Sequence, residues 1–242
     1  MCNDHNTGLT RRGLLGAGAF AASAVAAGSF IMPAAAQTSA ETQAAPNDIS
    51  PDEAMRRLVD GNARYVENLT RNRDMAAGRE ARAAAQYPFA GILSCADSRV
   101  APELAFDQGP GELFVVRVAG NFVDTNGLAS MEFGVAVLNI PLLMVLGHTG
   151  CGAISATIDV IENGTELPGH LPSLVDGLKP GVEKALATKP ADPMEAATAE
   201  NVRYNVEKLK TATPIVAEAV SSGKVKVVGG VYNIATGKVD LV

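Results

Sequence analysis

The stretch Leu142-Leu143-Met144-Val145-Leu146-Gly147-His148-Thr149-Gly150-Cys151-Gly152-Ala153 decides the fold. Its unbroken apolar run, residues 142–146, predicts a short buried strand. A glycine-rich turn with His148 and Cys151 follows, and residues 152–161 carry a helical pattern. Working outward, the same strand-then-turn order recurs upstream. Residues 89–94 are a second apolar run, and Ser94-Cys95-Ala96-Asp97-Ser98-Arg99-Val100 follows it directly. Residues 113–119 predict a further strand and residues 128–138 a helix that stops before Pro141. Downstream, helices are expected over 194–210 and 214–222, the latter with Thr213 as N-cap. A strand is expected over 225–228, and a hairpin turn at Thr236-Gly237-Lys238 before a last short strand. Strands alternating with helices specify an α/β fold, a mainly parallel β-sheet flanked by helices on both faces. Sites in such sheets form beyond the carboxyl ends of the strands.

Toward the N-terminus, Ser50-Pro51-Asp52-Glu53 is a helix start: serine as N-cap, proline at N1, glutamate closing a capping box. Met55, Leu58, Val59, Tyr65, Val66 and Leu69 then recur at helical spacing. Residues 71–82 are rich in arginine and read as a solvated helix or loop. Residues 1–36 carry Arg11-Arg12, a weakly apolar Gly/Ala-rich run and Ala34-Ala35-Ala36, the pattern of a twin-arginine export signal with a small-residue cleavage site. A membrane anchor is the alternative, since the run nearly reaches spanning length. Cleavage would leave no stable membrane insertion and a periplasmic or otherwise exported protein. Residues 37–49 read as a disordered linker, and residues 50–242 as one catalytic domain. With 47% hydrophobic and 19% charged residues and a net charge of -6, the composition is that of an ordinary globular chain. The cations are scattered and tryptophan is absent, which argues against a nucleic-acid partner.

The chemistry concentrates in the two turns. Cys2 would leave with the signal, so Cys95 and Cys151 would be the two thiols of the exported domain. Such a pair either forms a disulfide or holds a metal. Both turns begin where buried strands end, which brings Cys95 and His148 to one edge of the sheet, with Asp97 and Cys151 close behind. Two thiolates, an imidazole and a carboxylate suit tetrahedral zinc, and the helix beginning at Gly152 adds a positive dipole end. Gly150 and Gly152 are expected to let the backbone approach the metal without a Cβ. Four permanent ligands would make a closed structural site. Arg99 offers a way to open it, because Asp97 can leave the metal and pair with the guanidinium.

At these residues the chain resembles the β-class carbonic anhydrases. The signatures Cys95-Ala96-Asp97-Ser98-Arg99 and Gly147-His148-Thr149-Gly150-Cys151-Gly152 carry the likeness. So do Asp60-Gly61-Asn62-Ala63-Arg64-Tyr65, Gln86-Tyr87-Pro88-Phe89-Ala90, residues 111–121 and Gly230-Val231-Tyr232. The resemblance implies a zinc lyase with one Zn2+ per chain on Cys95, His148 and Cys151, and Asp97 as a switchable fourth ligand. It implies hydration of CO2 to bicarbonate and a proton by zinc-bound hydroxide, with Asp97 and Arg99 as the catalytic dyad. Gln86, Phe114 and the Gly152 N–H would contact substrate. It further implies an antiparallel addition to the sheet, a homodimer or dimer of dimers, and an N-terminal helical arm packing on the dimer partner. Where some members hold a regulatory bicarbonate between Trp, Arg and Tyr, this chain has Ile92, Arg117 and Phe133, so that lock is expected to be missing. A CS2 or COS hydrolase with the same ligands, and a non-enzymatic zinc-stabilised binding protein, are the rival readings.

Overall fold

The computed structural model describes residues 45–242. The segment expected as a signal, and most of the expected linker, lie outside them. Among the described residues a five-stranded sheet runs in the order β2-β1-β3-β4-β5. Its strands are β1 (Ala90–Ser94), β2 (Leu113–Arg117), β3 (Leu142–His148), β4 (Lys226–Tyr232) and β5 (Val239–Leu241). The pairs β1–β2, β1–β3 and β3–β4 are parallel, and β4–β5 is antiparallel. Every residue of β1 and β3 is buried, as expected for central strands covered on both faces. The expected mainly parallel sheet with an antiparallel addition is therefore observed.

Helices cover both faces. On one, α1 (Pro51–Val66) and α3 (Pro102–Ala105) bring Ala54, Leu58, Ala105 and the following Phe106 against Ile92, Leu142, Met144 and Leu146. On the other, α4 (Thr125–Ala136), α7 (Pro193–Lys210) and α8 (Ile215–Ser221) bring Met131, Val202, Val206 and Val216 against Leu93, Leu143 and Val145. A third cluster lies around the strand ends, where α5 (Gly152–Asn163), α6 (Leu171–Leu186) and α7 enclose Cys95 and Cys151 with Ile154, Leu178, Val182 and Ala197. Burying such large aliphatic side chains contributes roughly 1.5–3 kcal/mol each before entropy is counted.

Several expectations need correction. β3 continues past Leu146 to His148, because Gly147 and His148 pair with Val231 and Tyr232. β4 runs four residues beyond Val228 to Tyr232 despite two glycines. A Cβ on Gly229 would meet Val202 at 2.6 Å and one on Gly230 would meet Val239 at 2.8 Å, so close packing, not a turn, selects glycine there. The helix α6 was not expected, since Pro172, Gly177, Pro180 and Gly181 obscure its period. The start of α8 is not capped by Thr213: its N-cap is Pro214, with no side-chain bond.

At α1, Ser50 caps as expected, its hydroxyl accepting from the Glu53 N–H at 3.1 Å. The Glu53 carboxylate turns instead to Arg56 and Arg57, so only half of the box forms. The other helix-spaced apolar residues divide: Leu58 is buried, while Val59, Val66 and Leu69 are 49%, 43% and 64% exposed. Asn62 ties α1 across the chain, donating to Ala105 O and Gly237 O and accepting from the Val239 N–H.

The arginine-rich stretch is mostly exposed, as expected, and ends in the short helix α2 (Arg79–Ala84), but Arg73 turns inward. Arg73 joins Arg64 on the buried carboxylate of Asp107, each at 2.5 Å. Burial alone would raise the Asp107 pKa most, but these two guanidinium groups and the Arg71 N–H outweigh it and hold the carboxyl below its usual range. Within residues 45–49, the end of the expected linker, Asn47 is packed: it is 3% exposed and donates to Pro88 O and Leu138 O. No described helix is long and apolar enough to cross a membrane.

Candidate metal centre

Adjacent parallel strands deliver the site. β1 and β3 pair from Gly91 with Leu143 to Ser94 with Leu146, so Cys95, next after β1, and His148, at the end of β3, come out side by side. Gly150 takes φ +66°, a left-handed conformation that glycine adopts without steric cost. It turns the chain so that Cys151 becomes the N-cap of α5. One ligand atom each from Cys95, His148 and Cys151 lies within 4.8 Å of the others, and all three residues are buried. No Cβ contact lies within 4 Å of Gly150 or Gly152. Among protein atoms, the left-handed turn is what favours glycine at 150.

The donor atoms fit a zinc ion. The two sulfurs stand 4.0 Å apart as free thiols. Two zinc–sulfur bonds of about 2.3 Å at a tetrahedral angle would place them about 3.8 Å apart, whereas a disulfide needs about 2.0 Å. His148 Nδ1 lies 3.0 Å from Thr149 O, which makes Nδ1 the protonated nitrogen. Nε2 is then left with a lone pair, buried and without a protein partner. A buried nitrogen lone pair beside two thiols is a donor set suited to a metal cation.

The electrostatics are those of one acidified sulfur beside one that keeps its proton. Cys95 is the more acidic thiol. The bond donated by Cys151 lowers its pKa most, against burial, with His148 and the N–H groups of Gly120 and Asp97 adding to it. Cys151 is pushed up by that same bond and by burial, so binding of a metal must expel its proton. Burial opposes protonation of His148, but the Cys95 sulfur and Asp97 together hold its pKa above the ordinary value.

Asp97 is turned away from the cluster. Arg99 grips it through Nε to Oδ1 at 2.9 Å and Nη2 to Oδ2 at 2.6 Å, and the Arg99 N–H also donates to Oδ1. This side-chain pairing is the main cause of an Asp97 pKa well below the usual carboxylate range. Oδ2 nevertheless remains 3.9 Å from His148 Nε2, within a short side-chain movement of the donor set. Arg99 reaches across to Gly150 O at 3.4 Å, linking the two turns.

The other expected site residues lie farther out. Gln86 is exposed on the segment before β1, with no side-chain hydrogen bond among the described residues. Phe114 sits half-buried in β2, stacked on Phe133 with ring centroids 6.4 Å apart. Gly152 opens α5 immediately after Cys151. Sequence reasoning missed what supports the first turn. Arg117 donates to Cys95 O at 2.9 Å and Asp97 O at 2.7 Å, and the Gly120 N–H donates to Cys95 Sγ at 3.3 Å. Periodicity places Arg117 at the end of a strand, but only the fold aims it at the neighbouring turn.

Comparison with known proteins agrees with this geometry. A family model described as carbonic anhydrase matches residues 90–239. A carbonic anhydrase of Mycolicibacterium smegmatis is 37% identical over 200 residues, covering 81% of this chain and 95% of its own. The Coccomyxa β-carbonic anhydrase solved with acetazolamide superposes with a TM-score of 0.59 at 30% identity, covering 78% of this chain and 83% of its own. Tetrameric β-carbonic anhydrases of Sordaria macrospora share the fold at 22% identity, with a TM-score of 0.62 and coverage of 79% and 97%. With its signature turns, its sheet order and these relatives in agreement, the chain belongs to the β-class carbonic anhydrase family.

Proposed function

We propose that this protein reversibly hydrates CO2 to bicarbonate and a proton, using one Zn2+ per chain on Cys95, His148 and Cys151. When bound there, zinc would supply Lewis acidity that makes a water molecule nucleophilic near neutral pH. The observation that carries the reading is the three-donor cluster with Asp97 drawn aside onto Arg99. Three protein donors leave a fourth position for substrate chemistry, as catalytic zinc requires. Asp97, ionised by its arginine, is the hydrogen-bond acceptor that orients the attacking water. Its return toward the donor set would close the site, which makes it the switchable fourth ligand.

The remaining residues hold substrate. The N–H of Gly152, at the positive end of α5, suits the charge that develops on bicarbonate. Phe114 supplies an apolar wall for CO2. Gln86 is assigned a substrate hydrogen bond within an assembled dimer. The exposed Val59 and Val66 on α1 support a helical arm covered by a partner in a homodimer or dimer of dimers. The twin-arginine-type leader supports export, with the metal loaded before the thiols meet an oxidising compartment.

The deciding experiment combines metal analysis with turnover. Zinc near one equivalent per chain, with CO2 hydration far exceeding CS2 or COS hydrolysis, is the expected result. Faster CS2 or COS turnover would transfer the same machinery to that reaction. A cobalt-substituted protein whose spectrum ignores anions and pH, with no turnover, would reduce the site to a structural one.

A further inference from the structure

We propose that Asn201 of α7 is a positioning residue for the metal ligand Cys95, acting through the backbone of Gly120. The inference rests on the zinc reading above. The Gly120 N–H donates to Cys95 Sγ at 3.3 Å, and the Gly120 C=O accepts from Asn201 Nδ2 at 2.9 Å. Gly120 has φ +83°, and a Cβ there would lie 2.7 Å from Leu178 Cδ1, so this position is restricted to glycine. Its N–H and C=O belong to the two peptide groups on either side of its Cα, and with no side chain to anchor the residue the orientation of both depends on hydrogen bonds.

The orientation of the Asn201 amide is itself determined. Asn205 Nδ2 donates to Asn201 Oδ1 at 3.0 Å and to Asn201 O at 2.8 Å, while Asn205 Oδ1 accepts from the Val123 N–H at 2.7 Å. With Oδ1 occupied as an acceptor, Nδ2 is the group that faces Gly120. Asn201 and Asn205 are each 1% exposed, so water does not substitute for either. Helix α7 is pressed close: a Cβ on Gly181 would stand 2.9 Å from Asn201 Cα, and one on Gly147 would stand 2.7 Å from Val202. One helix therefore braces the segment beside Cys95 and the strand end that carries His148.

A hydrogen bond to a metal-bound thiolate draws charge off sulfur and fixes its lone pairs, and groups around a ligand shell of this kind tune affinity. Removing the Asn201 donor should free the peptide group that follows Gly120, letting the residue turn about its Cα and weakening the bond made by its N–H. The test uses the protein loaded with Co2+ or Zn2+. In Asn201→Ala, the thiolate-to-cobalt charge-transfer band should move to longer wavelength, and chelator competition should give zinc affinity about 10–100-fold weaker. Leu209→Ala, a buried position farther along α7, should lower the melting temperature yet keep the band and affinity of the parent.

A folded Asn201→Ala protein with unchanged band and affinity would overturn the proposal. Asn201→Leu, which keeps the size and loses the donor, is read the same way if the alanine variant fails to fold. On the unaltered protein loaded with 113Cd, the Gly120 amide proton should couple to the metal through sulfur, and absence of that coupling would equally overturn it. A parent protein that takes up no stoichiometric metal would defeat the zinc reading itself. A parent that loads normally beside unaffected variants defeats the Asn201 inference alone.

Discussion

The two turns that meet at the metal centre are built on opposite principles. The second, from His148 to Cys151, is braced by its own neighbours. β3 stays paired with β4 as far as His148, the Thr149 N–H donates to Tyr232 O, the Thr149 hydroxyl accepts from the Ile234 N–H, and α5 begins at once. The first, from Cys95 to Arg99, leaves the sheet without entering a helix directly. It is held by borrowed groups: Arg117 on two carbonyls and Gly120 on the sulfur. The braced turn supplies two fixed donors at i and i+3. The borrowed turn supplies one donor and Asp97, which is paired with Arg99 and lies 3.9 Å from His148. In the function proposed above, rigidity and mobility in the same site fall to these different segments.

The sharpest way to break this contrast is Cys151→Ala. Removing a donor from the braced turn should abolish stoichiometric zinc and CO2 hydration together, by metal analysis and stopped-flow assay. Asp97→Asn strikes the borrowed turn, and zinc should remain while kcat falls about 100-fold, the scale of a lost acid–base group. Arg117→Ala should loosen the first turn without touching a donor, lowering kcat about 10-fold through misplacement of Asp97 and leaving zinc at one equivalent.

Asp107→Asn is the reference remote from both turns. The lowered pKa of Asp107 means the folded state favours its ionised form. Its contribution to stability is therefore complete above the unfolded carboxyl pKa of about 3.9 and disappears as pH falls through the lower folded value. The variant should be about 2 kcal/mol less stable near pH 7, with the gap to the parent narrowing once the pH drops below about 4 and kcat unchanged. The smallest effect is expected from Gly150→Ala. Nothing lies within 4 Å of the added Cβ, so the cost is backbone strain of about 1 kcal/mol, read as a melting point about 3 °C lower with zinc retained.

Local patterning carried most of the architecture. Residues 89–94 and 142–146 are uninterrupted apolar runs, and no reading other than a buried strand suits their length and flanks. Ser50 and Pro51 marked the start of α1 for the same local reason. Where tertiary packing overrides local preference, the expectations fell short: the strand expected over 225–228 continues through Gly229 and Gly230 in β4, and no helix was expected over residues 171–186, which form α6. In each case a neighbouring side chain, Val202 against Gly229 and Phe122 against Gly177, occupies the volume that a Cβ would need.

The same division holds at the site. The types and spacing of Cys95, Asp97, Arg99, His148 and Cys151 identified the donors without coordinates, because each cluster is contiguous in the chain and follows a strand. Sequence alone left open whether the thiols form a disulfide or face a metal, which way Asp97 turns, and what secures the first turn. The 4.0 Å between sulfurs exists only once β1 and β3 have paired, and the Asn201–Gly120–Cys95 chain only once α7 has packed on the sheet; Arg99 reaches Asp97 from two residues away, but that this pairing is the one made is seen only in the folded turn. Residue chemistry determined what this protein is equipped to bind; the three-dimensional packing decided which groups meet, because hydrogen bonding and coordination act over a few ångströms in space whatever the separation along the chain.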